Sequence, residues 1–316
     1  MGETWKVGVI GLGIMGRRMI EHMGRHPAFE AVAAWDPSAE ACAQAARLAP
    51  GTIVGSAEAA IEAADVVYLA CPPAPRKAYA LAAAAQGKAV FLEKPFGVDV
   101  AESRDLAARL AAAGTPAAVN FTQAAGAALA AVLGDEGRGE DRGVDIVVTY
   151  PHWPRAWQIE ADWLRFAAEG GYVREVISHF LFFSGRVLGP LSLVWAKPAY
   201  PADPALCETH IAARLENAAG VPVSVFGSVG GVQPDRQEVT VTGSKRSWRI
   251  SDFYRTAVSD GGAFEPVGEE PADPRAESLR AQLDHLDRMM RGEPHRLATV
   301  EEALAVQELV EAMLAR

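Results

Sequence analysis

The sequence predicts two domains: a parallel α/β domain, then an α+β domain with a largely antiparallel open sheet. Three observations carry this. The 316 residues are too many for one small core and suit two domains of roughly 100–200 residues each. The first third alternates short apolar runs with helical stretches, the pattern of crossover units in a sheet buried on both faces. After Phe121 strand-like runs follow one another with Gly, Pro and Asn turns between them, as antiparallel sheets do. The division is expected at 1–122 and 123–316.

In order along the chain, 6–10 is an apolar strand that breaks at Gly11, 15–24 a helix, 30–35 a strand and 39–48 a helix. Residues 64–70 read as a buried strand, 76–86 as an Ala-rich helix, 89–92 as a strand, 101–113 as a helix and 116–121 as a strand. In the second part 144–150 is a strand, and 171–188 a strong helical pattern stopped by Gly189-Pro190. Strands follow at 191–196, 210–215, 221–229, 238–242 and 247–250, and helices near 275–291 and 300–314 close the sequence.

Composition narrows the function. A net charge of −10 with a pI near 5.3 opposes a nucleic-acid binder, which needs a basic face to neutralise phosphates. The three cysteines, Cys42, Cys71 and Cys207, form no CxxC pair and accompany no histidine cluster, so neither a disulfide framework nor a metal site is expected. The opening residues lack the regions of a signal peptide, and no apolar run approaches the roughly 18 residues of a membrane span. A cytoplasmic protein without a membrane partner is the expectation.

The first motif is Gly11-Leu12-Gly13-Ile14-Met15-Gly16. Alone, GxGxxG reads equally as a glycine-rich turn without a ligand. Here it follows a strand, opens a helix, and is followed about 20 residues on by an acid, Asp36, at the end of the second strand, which is the context of a Rossmann dinucleotide site. Gly11 permits the tight turn, Gly13 lets backbone approach a pyrophosphate, and Gly16 allows the helix to pack on the strand. Asp36 would accept the ribose hydroxyls and repel a 2′-phosphate, and Pro37-Ser38 supplies no arginine, so NAD is favoured over NADP.

The second motif, Glu93-Lys94-Pro95, ends the strand at 89–92. Ligands of open α/β sheets sit beyond the carboxyl ends of the strands, so Lys94 is expected near the nicotinamide, able to give or take a proton. Taken alone, such a tripeptide is also an ordinary turn. The third, Gly170-Gly171 opening a helix with Glu175 and His179 four apart, places a carboxylate and an imidazole on one face. They read as an acid–base pair or as a plain surface pair.

Together these features resemble the Gfo/Idh/MocA oxidoreductases, the family of glucose-fructose oxidoreductase and inositol dehydrogenase, across essentially the whole chain. The resemblance also rests on the Cys71-Pro72-Pro73 turn and on the run 87–95 that ends in Glu93-Lys94-Pro95. It implies that Cys71, Pro72, Pro73, Arg76, Glu93 and Lys94 join the glycine turn and Asp36 in holding the cofactor. It implies a catalytic Lys94, commonly on a cis Lys-Pro bond, and an acid/base His179. Glu175 stands where the family usually has aspartate, and Arg76 where it commonly has histidine. The stretch from Asn120 to Ala124 lacks the arginine of many sugar-active members. Asn120, Trp153, Arg155, Trp163 and Arg165 are candidate substrate residues, the tryptophans and arginines reading otherwise as packing anchors and solvated charges.

The expected activity is NAD(P)-dependent hydride transfer between nicotinamide and a polar carbonyl or imine, or the matching alcohol or amine, a sugar derivative among the candidates. Two other readings stand beside it. The opening is also similar to β-hydroxyacid dehydrogenases and imine reductases, whose second domain is all-helical. A dinucleotide-sensing regulator on the same fold would bind without turnover. The resemblance further implies a homo-oligomer, dimer or tetramer, through the open face of the second sheet.

Overall fold

Short β-branched runs and Ala-rich segments alternate in the first unit. They form β1 (Trp5–Ile10), α1 (Ile14–Met23), β2 (Phe29–Trp35), α2 (Ala39–Ala46), α3 (Ala57–Glu62), β3 (Val66–Leu69), α4 (Pro73–Ala85), β4 (Ala89–Glu93), α5 (Val100–Ala112) and β5 (Ala117–Asn120). The computed structural model describes residues 4–268 and 271–315. The five strands run parallel in the order β2-β1-β3-β4-β5. A parallel bridge from Ala34 to Ile53 widens the sheet beyond β2, and an antiparallel bridge from Val119 to Ala298 widens it beyond β5. Every residue of β3 and β4 is buried, as a strand covered on both faces requires. The five parallel strands are the α/β sheet the alternation predicted.

Ser38, Ser56 and Asp99 cap α2, α3 and α5 by accepting the N–H of Ala41, Ala59 and Glu102. Helix α3 escaped the periodicity because its six residues, AEAAIE, are too few to show a face, and Ser56 is its one local sign. Helix α1 differs from these three: its cap is Gly13, which offers no side chain, so its first N–H groups stay available to a ligand.

The second unit holds α6 (Ala127–Gly134), β6 (Asp141–Tyr150), a π-helical turn at Val173–Ile177, α7 (Ser178–Leu188), β7 (Leu191–Ala199), β8 (His210–Asn217), β9 (Pro222–Val229), β10 (Arg236–Gly243), β11 (Ser247–Ser251), β12 (Arg255–Ser259) and β13 (Glu265–Pro266). Its sheet has the order β13-β12-β11-β10-β6-β9-β8-β7. Only β6 and β9 pair in parallel among these neighbours. The α+β expectation therefore holds, and the all-helical second domain of the β-hydroxyacid dehydrogenase alternative is not what this chain builds.

Alternation makes one face of this sheet apolar. Val144, Ile146, Val148 and Tyr150 of β6 and Ile211, Ala213 and Leu215 of β8 point into the core, and α7 packs on β6. The opposite face leaves Trp195 and Phe226 each 50% exposed. Strand β12 was not foreseen, because the turn before it contains neither glycine nor asparagine.

The chain closes with α8 (Pro274–Met290) and α9 (Val300–Leu314). Residues up to Phe121 and Leu279–Leu304 make the first unit, while Thr122–Ser278 and the residues from Ala305 make the second. Leu279, Leu283, Leu286, Met289 and Leu297 sit in the first unit's core with Val7, Val9, Tyr68 and Phe91. That return is invisible to local periodicity, which reports that a helix has an apolar face and not what the face covers. Among the described residues no helix is long and apolar enough to cross a membrane.

Candidate dinucleotide and acid–base sites

In a parallel sheet all carboxyl ends lie on one edge, and the motif residues of the first unit collect there. Gly11 has φ 95°, and a Cβ on it would lie 2.4 Å from the Cys71 nitrogen. A Cβ on Gly16 would lie 1.8 Å from the Gly11 oxygen. Both glycines are thus required by backbone packing. A Cβ on Gly13 would meet nothing within 4 Å. That gap, at the uncapped start of α1, is a cradle that suits a pyrophosphate. Leu12, Ile14 and Met15 complete the turn, and the Arg17 guanidinium donates to the Leu12 carbonyl at 2.8 Å.

Asp36 follows β2. One of its oxygens accepts the Leu12 N–H and the other the Ser38 N–H, each at 2.8 Å. The carboxylate is therefore held against the glycine turn, and each oxygen retains a lone pair for a ribose hydroxyl. The residues present fit a nicotinamide dinucleotide.

After β3 the Cys71-Pro72-Pro73 turn starts α4, with Pro72 as its cap. Burial pushes the Cys71 thiol above its usual range. Arg76 is buried, and its guanidinium donates to the Cys71 and Glu93 carbonyls, each at 2.6 Å, and to that of Pro95. Its charge is thereby directed at the carbonyls that end β3 and β4.

Beneath the edge lies a buried polar network. Glu93 accepts from the Tyr68 hydroxyl and, at 2.7 Å, from the Asn120 amide. Burial raises the Glu93 carboxyl, against the pull of the Tyr68 hydrogen bond and of the Lys94 charge. The Gln282 amide donates to Asn120 and to the Phe121 carbonyl. Lys94, the next residue, is half-buried at the sheet edge and joined to Pro95 by a cis peptide bond. Asn120 thus sits with Glu93 inside the network. Tyr68 and Gln282 were missed; a hydroxyl inside the wholly apolar β3 was the available signal, since a buried tyrosine needs a partner.

The second unit is built around a widened turn. A Cβ on Gly170 would lie 2.4 Å from the Leu164 oxygen, and one on Gly171, at φ 105°, would lie 2.5 Å from the Glu208 carboxylate. The two glycines let the chain pass Leu164 and Glu208 before the π turn begins. Such turns recur at functional positions, and this one carries Glu175 just before His179 in α7.

The Glu175 carboxylate accepts from the Gln158 amide at 3.1 Å, and Gln158 in turn accepts from the Arg155 Nε at 2.8 Å. The Arg155 guanidinium lies 4.7 Å from the Trp157 ring centroid, 5.2 Å from that of Tyr150 and 5.8 Å from that of Trp153. Trp153 anchors this segment by donating to the Leu164 carbonyl at 2.9 Å. Trp153 and Arg155 are therefore tied to Glu175. Arg165 is exposed and turned to Asp162, at 3.0 Å, and to the Phe166 ring, and Trp163 is half-buried beside it. His179 is 7% exposed, with its ring edge to face with Phe253.

Glu208 has no precedent in the sequence reading. It is 1% exposed and accepts the Val173 N–H at 2.9 Å. Burial pushes its carboxyl up to about 7, against the pull of that N–H and of Arg174. Arg174 makes a two-point ion pair with Glu311, at 2.6 and 2.7 Å, and binds the Ala167 and Gly170 carbonyls. Glu208, Arg174, Glu311 and Tyr200 line a cavity of about 330 Å³. No group of three or more His, Cys, Asp or Glu suited to a metal occurs among the described residues.

Comparison with known proteins agrees with the geometry. The family described as "Oxidoreductase family, NAD-binding Rossmann fold" matches residues 5–121. Inositol 2-dehydrogenase of Cereibacter sphaeroides is 38% identical over 106 residues, which cover 32% of this chain and 31% of that protein. The chain thus matches about a third of the length of that curated relative. GenD2 from gentamicin A biosynthesis, solved in complex with NAD, has a TM-score of 0.82 at 20% identity, covering 99% of this chain and 93% of GenD2. Biliverdin reductase of Synechocystis sp. PCC 6803, solved with biliverdin and NADP+, has a TM-score of 0.78 at 18% identity, covering 98% of this chain and 97% of the reductase. These structures share the fold of both units, and residues 5–121 are similar to the NAD-binding Rossmann segment of the Gfo/Idh/MocA oxidoreductases.

Proposed function

We propose that this protein is an NAD(H)-dependent oxidoreductase acting between a polar carbonyl or imine and the matching alcohol or amine, with a sugar derivative or cyclitol as the favoured substrate class. The observation that carries the reading is the common edge of the first sheet. There the open cradle at Gly13, the pinned Asp36 carboxylate and the half-buried Lys94 all follow strand ends. Bound nicotinamide would supply or accept the hydride. Lys94 gives or takes the proton of the reacting oxygen or nitrogen, with Glu93 fixed beneath it. His179 is the second acid/base, and Glu175, restrained by Gln158, tunes it electrostatically. Trp153 and Arg155 contribute to substrate recognition.

Asp36 supports NAD over NADP, since its charge repels a 2′-phosphate and Pro37-Ser38 brings no cation. The inositol dehydrogenase relative supports the substrate class. Exposed Trp195 and Phe226 support pairing of copies through the open sheet face, as a dimer or tetramer. Three free cysteines accord with a reducing cytoplasm.

The test is nicotinamide absorbance with NADH and NADPH against sugars, keto-sugars, inositols, small aldehydes and cyclic imines, with Lys94→Ala alongside. Turnover that prefers NADH and is lost in the variant, with NADH affinity kept within a few-fold, is the expected result. NADH binding without turnover would point instead to the dinucleotide-sensing regulator.

A further inference from the structure

The hairpin joining β11 to β12 breaks a local rule. Its turn is closed by the Tyr254 N–H donating to the Ser251 carbonyl at 3.1 Å, while the Asp252 N–H donates to the Gln237 carbonyl at 2.9 Å. Both central residues lie in the left-handed region, Asp252 at φ 50° and Phe253 at φ 68°. Turns of this hand usually carry Asn-Gly or Asp-Gly, because Cβ crowds the neighbouring carbonyl there. Asp252 suits its place. Phe253 stands where glycine is the easy choice.

The ring shows what that position obtains. Phe253 stacks on Phe180, with centroids 5.1 Å and planes 15° apart. It also meets His179 edge to face, with centroids at 5.5 Å and planes at 82°. His179 and Phe180 are successive residues of α7, so one ring bridges both. Because Phe180 is fully buried, a ring stacked on it cannot easily swing aside. It therefore stands as a fixed wall against the imidazole and restricts rotation about the histidine Cβ–Cγ bond. The perpendicular arrangement is the one that ring quadrupoles favour. Glycine would make a more relaxed turn and leave no wall.

We propose that Phe253 is a positioning residue: its ring, held by the left-handed turn and by Phe180, sets the orientation in which His179 exchanges a proton. The proposal rests on the reading of His179 as acid/base, and it explains why a hairpin tip carries an aromatic residue in a conformation that disfavours one.

The test uses the full chain with isotope-labelled histidine, His179→Gln serving to assign the His179 ring signals. In the wild type those signals should carry the ring-current displacement of a fixed aromatic neighbour. Phe253→Leu, which keeps bulk, and Phe253→Gly, which suits φ 68° and so secures folding, should both abolish it; Phe253→Tyr should restore it. With the substrate found on the panel above, the leucine and glycine variants should lower kcat by roughly 10- to 100-fold, as misplacing a reacting group does, while KM for NADH holds and Phe253→Tyr recovers most of the rate. His179 signals that stay unmoved in both variants, or signals that move while kcat does not, would overturn the proposal. Absence of turnover in the wild type would sink the oxidoreductase reading alone, and the resonances would still decide the positioning.

Discussion

Replacing Glu208 by glutamine should make the protein more stable above neutral pH and leave it nearly unchanged in acid. The folded carboxyl binds its proton up to about pH 7, against an ordinary value of 4.5. A group with a raised folded pKa favours the folded state while protonated. Its contribution is present below the unfolded value and is lost as pH rises through the folded one. The shift corresponds to about 3 kcal/mol, and at 1% exposure little solvent screening reduces it. Glutamine mimics the protonated acid and can still accept the Val173 N–H. Urea unfolding of both proteins at intervals from pH 4.5 to 8.5 checks this. The stability difference should open in favour of the variant by about 3 kcal/mol, with most of the change between pH 5 and 7 and a plateau above. A difference that stays level across that range, or a variant that loses stability at pH 8, would refute the assignment of the raised carboxyl.

The first unit yields four more tests. Gly13→Ala should fold with an unchanged melting temperature, because its Cβ meets nothing within 4 Å, yet bind NADH at least roughly ten-fold more weakly by fluorescence titration, since backbone approach to the pyrophosphate is what glycine permits there. Gly16→Ala, whose Cβ would strike the Gly11 carbonyl, should instead lower the melting temperature together with binding. Asp36→Ala should shift the NADH to NADPH affinity ratio toward NADPH, read by the same titration, with some loss of stability because the Leu12 N–H loses its acceptor. Arg76→Met should destabilise by about 3 kcal/mol, read from urea midpoints, because it strips buried carbonyls of their donor.

What the sequence revealed depended on how far away each residue's reason lay. Gly11, Gly16 and Asp36 answer to a strand, a turn and a helix start within one short stretch, so local chemistry sufficed. Lys94 was legible from the strand it ends. Arg76 was noticed as a departure, but its task needs the ends of two strands at once. Glu208 meets Val173 across 35 residues and Gln282 meets Asn120 across 162, and no window of periodicity contains such pairs. The strands of the second sheet were read from alternation, whereas β12 was lost because the turn before it puts Phe253 where glycine usually announces a turn of this hand.

The order of synthesis gives the return of Leu279–Leu304 to the first unit a consequence for how this chain must be made. Five of its side chains, Leu279, Leu283, Leu286, Met289 and Leu297, lie within the first core, and at about 2 kcal/mol each they contribute roughly 10 kcal/mol, as much as a domain's whole net stability. The segment that carries the family resemblance, residues 5–121, therefore leaves the ribosome with a core it cannot close. At roughly 5–20 residues per second, the missing helix follows roughly 8–30 s later. Throughout that interval the nascent dinucleotide domain presents an apolar groove, and the second unit must be translated before the first can be finished.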